Sequence, residues 1–244
     1  MTAPVPAPAS HYWRFYERVA LAQLLAWAPV SPSRVLDVSG VAAYAEVLVA
    51  AGHEVVHVLP PDGLSGPEYV AGPGRLVTVR ADARSLHWLA DESFDAVLGE
   101  GRALSMCLAA EVSAADLRRV LRPGGRLLIV VESLVLGLAR LADSGRWAEL
   151  ADVPSADVVL VPADDGTVTR CFWPEELDLL LTEVGLDVEW VRPRSVLSVA
   201  AVERAMTEGG EEALETLVRT ELALAAGREG ESTGLHLVAS ARRP

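Results

Sequence analysis

Two short stretches of this 244-residue chain have residue types and spacing that could do chemistry. One is His53-Glu54-Val55-Val56-His57, which matches HExxH, the zinc-protease pattern. That pattern binds metal only on a helix, where residues four apart share a face and lie about 6 Å apart along the axis. Here Gly52 precedes the motif and Val55-Val56 are β-branched, so a strand is predicted. On a strand the imidazoles stand about 13 Å apart, too far for one zinc at about 2 Å per bond. No metal site is expected. The other stretch runs Arg34-Val35-Leu36-Asp37-Val38-Ser39-Gly40-Val41-Ala42-Ala43: a strand ending in an acid, a tight turn, then the start of a helix. In an open parallel sheet such a turn lies beside the ligand crevice, and the helix N-terminus offers free N–H groups to a ligand.

What is missing narrows the chemistry further. All 21 basic residues are arginine, and there is no lysine and no asparagine. The bias is that of a GC-rich coding sequence, but its consequences are chemical. Without lysine there is no phosphate-binding GxxxxGK[ST] loop, no Schiff base, no kinase-type ATP lysine and no lysine nucleophile. The formal net charge is −13 and the pI about 4.8. That argues against nucleic acid, which needs a basic stripe, and against an anionic membrane surface. Cys107 and Cys171 are too few for a tetrahedral CxxC zinc site and read as small buried hydrophobes. The opening MTAPVPAPAS has neither a basic region nor an apolar core, so it is not a signal peptide. With no apolar run of membrane-spanning length, a cytoplasmic protein is expected.

These residues need elements to hold them. After a disordered Pro/Ala tail over 1–10, Ser10 caps a predicted helix from His11 to Trp27. Short β-rich runs then alternate with helical stretches: Arg34–Val38, Glu54–Leu59, Arg75–Arg80, Phe94–Leu98 and Arg126–Val131. Helices are predicted from Ala42 to the Gly52 stop and from Leu104 to Leu121. Near-continuous apolar strands alternating with helices indicate a parallel sheet covered on both faces. The last third reads as a hairpin (Val158–Val161, Thr167–Phe172) through an Asp-Gly turn and a helix from Pro174 to Gly185. A strand Asp187–Val191, an acidic helix from about Ser198 to Arg228 with a break at Gly209-Gly210, and a strand from Leu235 to about Ala239 follow. The expected fold is α/β: a Rossmann-like, doubly wound, mostly parallel sheet with an antiparallel C-terminal strand and helices on both faces. It forms a single domain over 11–244, with a lid helix (11–30), a cofactor half (31–135) and an acceptor-side half (136–244).

In this order the chain resembles the class I S-adenosylmethionine (SAM)-dependent methyltransferases of the small-molecule, ubiquinone-biosynthesis type. The resemblance rests on Val35-Leu36-Asp37-Val38, on Arg80-Ala81-Asp82-Ala83 and on Asp91-Glu92-Ser93-Phe94-Asp95-Ala96-Val97-Leu98. It rests equally on Leu117-Arg118-Arg119-Val120-Leu121-Arg122-Pro123-Gly124-Gly125, with Trp173-Pro174-Glu175-Glu176-Leu177 to Gly185 beyond. It spans about Ser33 to Arg194. The resemblance implies SAM as cofactor, bound by Asp37, Ser39, Gly40, Leu59, Asp82 and Ala83. Asp37 would order the loop or contact the methionine amine. Asp82 would take the adenine amine or, equally, cap a short helix ending near Trp88.

Two departures from the family pattern are expected to weaken cofactor binding. Ser39, Val41 and Ala43 stand where the family has glycines, and Val41 is poorly suited to a positive φ. Leu59 stands where an acid holds the ribose; a lost charged partner costs about 1.5–3 kcal/mol, although Asp62 could substitute. Methyl transfer needs positioning and, optionally, a base. The catalytic candidates are Glu132 and Glu100 at strand ends and Tyr16 on the first helix, near His11, Tyr12 and Trp13. Tyr16 and Trp13 could equally anchor the helix, and Glu132 could equally be an exposed, solvated carboxylate. The expected function is methyl transfer to a small-molecule acceptor. A non-catalytic protein with an eroded SAM site, serving as a binding or partner subunit, is the alternative. Oligomeric state is left open.

Overall fold

The computed structural model describes residues 10–61, 71–162 and 166–244. The tail over 1–9, Asp62 and the residues of the expected Asp-Gly turn from 163 to 165 lie outside them. The first helix, α1 (His11–Trp27), starts as its sequence dictates, with the Ser10 side chain accepting from the Trp13 N–H. Five parallel strands follow: β1 (Arg34–Asp37), β2 (Glu54–Leu59), β3 (Arg75–Arg80), β4 (Phe94–Gly99) and β5 (Leu121–Ser133). They lie in the order β3-β2-β1-β4-β5. The order therefore reverses between β1 and β4, the place where an open α/β sheet leaves a crevice beyond its strand ends.

Beyond β5 the sheet becomes antiparallel. The last strand, β9 (His236–Arg242), pairs with β5 from Arg126↔Arg242 to Glu132↔His236. On its far side lies β8 (Asp187–Arg194), also antiparallel to it. The hairpin of β6 (Val159–Pro162) and β7 (Val168–Phe172) joins the end of β5 at Glu132↔Cys171 and Ser133↔Phe172. It packs against the loop after β4, where the Arg170 N–H donates to the Ser105 carbonyl.

Helices cover both faces. On one, α1 and α2 (Ala42–Ala50) bury Tyr16, Leu24, Tyr44 and Leu48 against Val35, Val55, Leu98 and Val130. On the other, α3 (Ala110–Val120) and α6 (Pro174–Glu183) bury Leu117, Leu177 and Leu181 against Leu36, Val97, Leu127 and Ile129. The alternation of Leu127, Ile129 and Val131 with Leu128 and Val130 between these two cores is the period-two pattern of a strand buried on both sides. The doubly wound, mostly parallel sheet with an antiparallel C-terminal strand is the architecture found.

Three details differ from the sequence reading. Residues 104–109 are turns, and α3 begins only at Ala110. No helix follows Asp82; residues 83–90 form turns. A helix α4 (Leu134–Asp143), followed by the short α5 (Trp147–Asp152), stands where none was expected, because Gly137 breaks the pattern. That glycine is steric: a Cβ there would lie 2.8 Å from Cys171 Sγ. The long α7 (Val199–Gly227) is interrupted at Gly210 (φ 55°), as the Gly209-Gly210 pair suggested. It packs on α1 through Tyr12, Phe15, Val19, Val202 and Met206.

Candidate functional site

At the carboxyl ends of β1 to β4 a cleft of about 470 Å³ opens. Its floor is built of small residues (Ser39, Gly40, Ala81, Ala83, Gly101 and Ala103), with Val38, Val58, Pro60 and Met106 as apolar walls. Asp82 and Arg84 are its charged rim. The volume lies in the range of small-molecule and cofactor sites. A larger groove of about 690 Å³ between α6 and β8 shares no residue with it.

The loop beside the cleft is held from below by Asp37. This carboxylate is fully buried at the end of β1; its Oδ1 accepts the Ser39 N–H at 2.9 Å, and Ser39 Oγ accepts the Val41 N–H at 3.1 Å. The remaining oxygen, Oδ2, lies 2.8 Å from Nδ1 of His57, which is equally buried. His57 belongs to the HExxH stretch: it sits in β2, opposite Asp37 in the register of β1 and β2. His53 precedes the strand, and its Nδ1 accepts the Ser33 N–H.

The loop's conformation corrects the expectation for Val41. Only Gly40 requires a left-handed backbone (φ 69°); Val41 is extended (φ −110°) at the N-cap of α2, and Ala43 is helical. The glycine therefore stands where the turn needs it, and Val41 carries no strain. A Cβ at Gly101 would lie 2.3 Å from the Ser39 carbonyl oxygen, so the two loops flanking the cleft meet backbone to backbone.

Leu59 does not line the cleft. It is buried and follows the alternation of Val55 and His57 toward the α1 side, whereas Val58 and Pro60 face the opening. Ala83 lines it as expected. Asp82 is exposed at the rim, where its side chain accepts the Arg84 N–H at 2.9 Å and is gripped by the Arg84 guanidinium at 2.9–3.2 Å. These hydrogen bonds hold its carboxyl below the usual carboxylate range.

The catalytic candidates lie at the same level of the sheet, on the α1 side. Glu100, just past β4, is buried and bound in two parallel hydrogen bonds, at 2.6 and 2.7 Å, by Arg194. Arg194 is itself fully buried at the end of β8 and also donates to Gln23 Oε1 (2.6 Å) and to the Tyr16 hydroxyl (3.3 Å). Burial raises the pKa of Tyr16, which keeps it a phenol rather than a base. Tyr16 also packs edge-on against His236, 5.1 Å between ring centroids. Trp13 beside it is exposed, so Tyr16 anchors the helix and Trp13 does not.

Glu132 overturns the expectation of a solvated carboxylate. It is fully buried; Oε1 accepts from Arg102 and from Arg140 Nη2 (3.1 Å), Oε2 accepts from Arg140 Nη1, and its own N–H donates to Ser105 Oγ. Burial of a charge next to apolar strands requires such partners. Sequence reasoning missed the partners themselves: His57, Arg194, Gln23, Arg102, Arg140 and His236. Parity held a signal. Asp37, His57, Glu100, Glu132, Arg194 and His236 each continue the alternation of strand positions facing α1, so each polar residue falls where the pattern demands an apolar one.

Residues 36–129 match the family model of the methyltransferase domain. No curated protein matches the sequence. Among solved structures, a SAM-dependent methyltransferase from Methanosarcina mazei is 17% identical, with 91% of this chain and 96% of that one covered (TM-score 0.58). A Haloferax volcanii methyltransferase complex with the activator Trm112 is 16% identical, covering 95% and 91% (TM-score 0.60). The 1,6-didemethyltoxoflavin N1-methyltransferase of Burkholderia thailandensis, solved with bound 1,6-didemethyltoxoflavin and S-adenosylhomocysteine, is 16% identical over 99% and 93% (TM-score 0.50). The chain thus matches the methyltransferase-domain model over residues 36–129 and has the fold of the class I SAM-dependent methyltransferases. Among the described residues no helix is long and apolar enough to cross a membrane.

Proposed function

We propose that the protein is a SAM-dependent methyltransferase acting on a small-molecule acceptor, with SAM in the cleft beyond β1 to β4. The observation that carries this reading is the cleft's floor of Gly40, Ala81, Ala83 and Ala103, whose small side chains leave a slot for a flat adenine beside the Asp82 carboxylate. The cleft's volume and its small lining residues suit the cofactor. Ser39, Gly40, Val58, Pro60, Asp82 and Ala83 would hold it, Asp82 accepting from the adenine amine because its partner Arg84, unlike the arginines on Glu100 and Glu132, pairs with it at the exposed rim and can turn aside, while Asp37 orders the loop from below. When bound, SAM supplies an electrophilic methyl group on a sulfonium.

The chain's own part is positioning. Both lone-pair faces of Glu100 and of Glu132 are engaged by guanidinium groups, and Tyr16 remains protonated. We therefore assign these three to holding the acceptor-side wall, and the acceptor is one whose nucleophile already has a lone pair at neutral pH. A non-catalytic binding role is the second reading. Its support is the proline at the cleft wall where a ribose acid would be useful, together with the absence of a free carboxylate among Glu100 and Glu132.

Calorimetry with SAM and S-adenosylhomocysteine tests the proposal. Binding is expected at roughly tens of micromolar, about ten- to a hundredfold weaker than a site with a charged ribose partner. No heat and no thermal shift at millimolar ligand would sink it.

A further inference from the structure

Charge is distributed unevenly around the buried acids. Glu100 and Arg194 form a neutral pair. Glu132, a single carboxylate, meets two arginines, Arg102 and Arg140. The cluster therefore carries one uncompensated positive charge, in a chain whose net charge is −13. Both arginines are more than a third exposed, whereas Glu132 is fully covered. After serving Glu132, Arg102 keeps Nε and Nη2, and Arg140 keeps Nε, without partners among the described residues.

Position adds to charge. Arg102 stands between Gly101 and Ala103, two residues that line the cleft. Its backbone is left-handed (φ 58°), a conformation that a side chain with a Cβ adopts only at a cost. From beside the cleft its guanidinium reaches Glu132 near the end of β5. A positive field is felt nearby: His236, beside Glu132 in the sheet, has its imidazolium disfavoured first by burial and then by Arg194, Arg102 and Arg140.

We propose that Arg102 and Arg140, held in place by Glu132, form a binding site for a carboxylate group on the methyl acceptor, adjoining the cofactor cleft. The inference rests on the methyltransferase reading and narrows its substrate to a carboxylic acid. A guanidinium fork matches a planar carboxylate in two hydrogen bonds. One surplus positive charge matches a monoanion rather than a dianionic phosphate. Glu132 is a positioning residue: it fixes the two guanidinium planes as a hydrogen-bond acceptor, a role glutamine's Oε1 retains, and its charge competes with the ligand for them, a role glutamine gives up.

The test titrates benzoate, benzamide and phenyl phosphate into the full chain by ligand-observed NMR, with and without S-adenosylhomocysteine. Benzoate is expected to bind at least about fivefold tighter than its neutral isostere benzamide, and tighter than phenyl phosphate. Arg102→Gln is expected to abolish that preference. Should this variant fail to fold, Arg102→Lys, which keeps the charge and loses the fork, is expected to weaken benzoate severalfold. Glu132→Gln gives the sharper readout, because freeing both arginines should raise benzoate affinity severalfold, which a purely structural Glu132 would not do. Equal binding of benzoate and benzamide, or unchanged benzoate affinity in Glu132→Gln, would overturn the site. Tighter phenyl phosphate than benzoate would overturn the carboxylate assignment. Loss of S-adenosylhomocysteine binding with the benzoate preference intact would count against the proposed cofactor alone; the reverse pattern would count against this site alone.

Discussion

Asp37 Oδ2 and His57 Nδ1 lie 2.8 Å apart, both fully buried, one strand apart in register at the ends of β1 and β2. The pair joins the residue that holds the loop beside the cleft to the second histidine of the HExxH stretch. With Asp37 ionised, Nδ1 carries the imidazole proton and donates it, and Asp37 Oδ1 remains for the Ser39 N–H. The loop is thereby fixed from inside the sheet rather than by a ligand.

Removing His57 leaves a buried carboxylate short of a partner. His57→Leu is expected to destabilise by about 1–3 kcal/mol, which in a chain of this length lowers Tm by roughly 2–12 °C. S-adenosylhomocysteine affinity should fall with it, because the Ser39-Gly40 turn hangs on Asp37. Calorimetry and a thermal melt on the same preparation read both effects. A variant that melts like the parent would mean that the pair contributes no net stability.

The two loop positions separate cleanly. Gly40→Ala places a Cβ at φ 69° and is expected to cost about 1–2 kcal/mol. Val41→Gly relieves no strain, since Val41 is already extended; its cost of about 0.4–1 kcal/mol through the unfolded chain is offset by the better fit of glycine at an N-cap, so little net change is expected. Val41→Ser goes further: α2 has no side-chain cap at this position, and supplying one should stabilise by about 1 kcal/mol. Denaturant melts of the three variants give the order; a Gly40→Ala variant as stable as the parent would contradict the geometry of the turn.

The sheet was legible because its strands are apolar runs bounded by turn residues, and β2, β3 and α1 coincide with their sequence patterns residue for residue. Helix α4 was not, since Gly137 interrupts its period for a reason, contact with Cys171, that lives on another strand. The cleft side of the candidate site was partly legible: Gly40 and Ala83 in the floor, Asp82 at the rim and Asp37 beneath the loop all stand at strand ends that the sequence marks. Its charged wall was not. Glu100 meets Arg194 across 94 residues and Glu132 meets Arg102 across 30, pairings that only the strand order and register create. Composition hides them as well, because in a chain with arginine as its only strong base no single arginine stands out.

Asp82 tests the cofactor side without disturbing the fold. It is exposed and bonded only to its neighbour Arg84, so Asp82→Ala should leave Tm within about 1 °C. S-adenosylhomocysteine affinity should drop by about ten- to a hundredfold if Asp82 accepts from the adenine amine. Because Arg84 holds the Asp82 carboxyl below its ordinary range, the group stays charged as the pH falls, and binding should be flat from about pH 8 to about pH 5. A mutant that binds as well as the parent would show the adenine lying elsewhere.

His236 makes stability depend on pH in a direction that can be worked out. Burial, followed by the charges of Arg194, Arg102 and Arg140, pushes its imidazole down to about 3 in the folded chain, while the unfolded value is about 6.5. Between those values the unfolded chain binds a proton that the folded chain refuses, so stability is full above about pH 6.5 and declines as pH falls toward 3. The decline is about 1.4 kcal/mol per pH unit for one such group, roughly 4–8 °C of Tm between pH 6.5 and 5. His53, whose pKa burial also lowers, adds to the slope with the same sign. His236→Leu removes its own share, so the variant's melting curve against pH should be flatter than the parent's even where its Tm is lower. Parallel curves in the two proteins would show that His236 is protonated in the folded state, and the positive field assigned to the three arginines would then be absent.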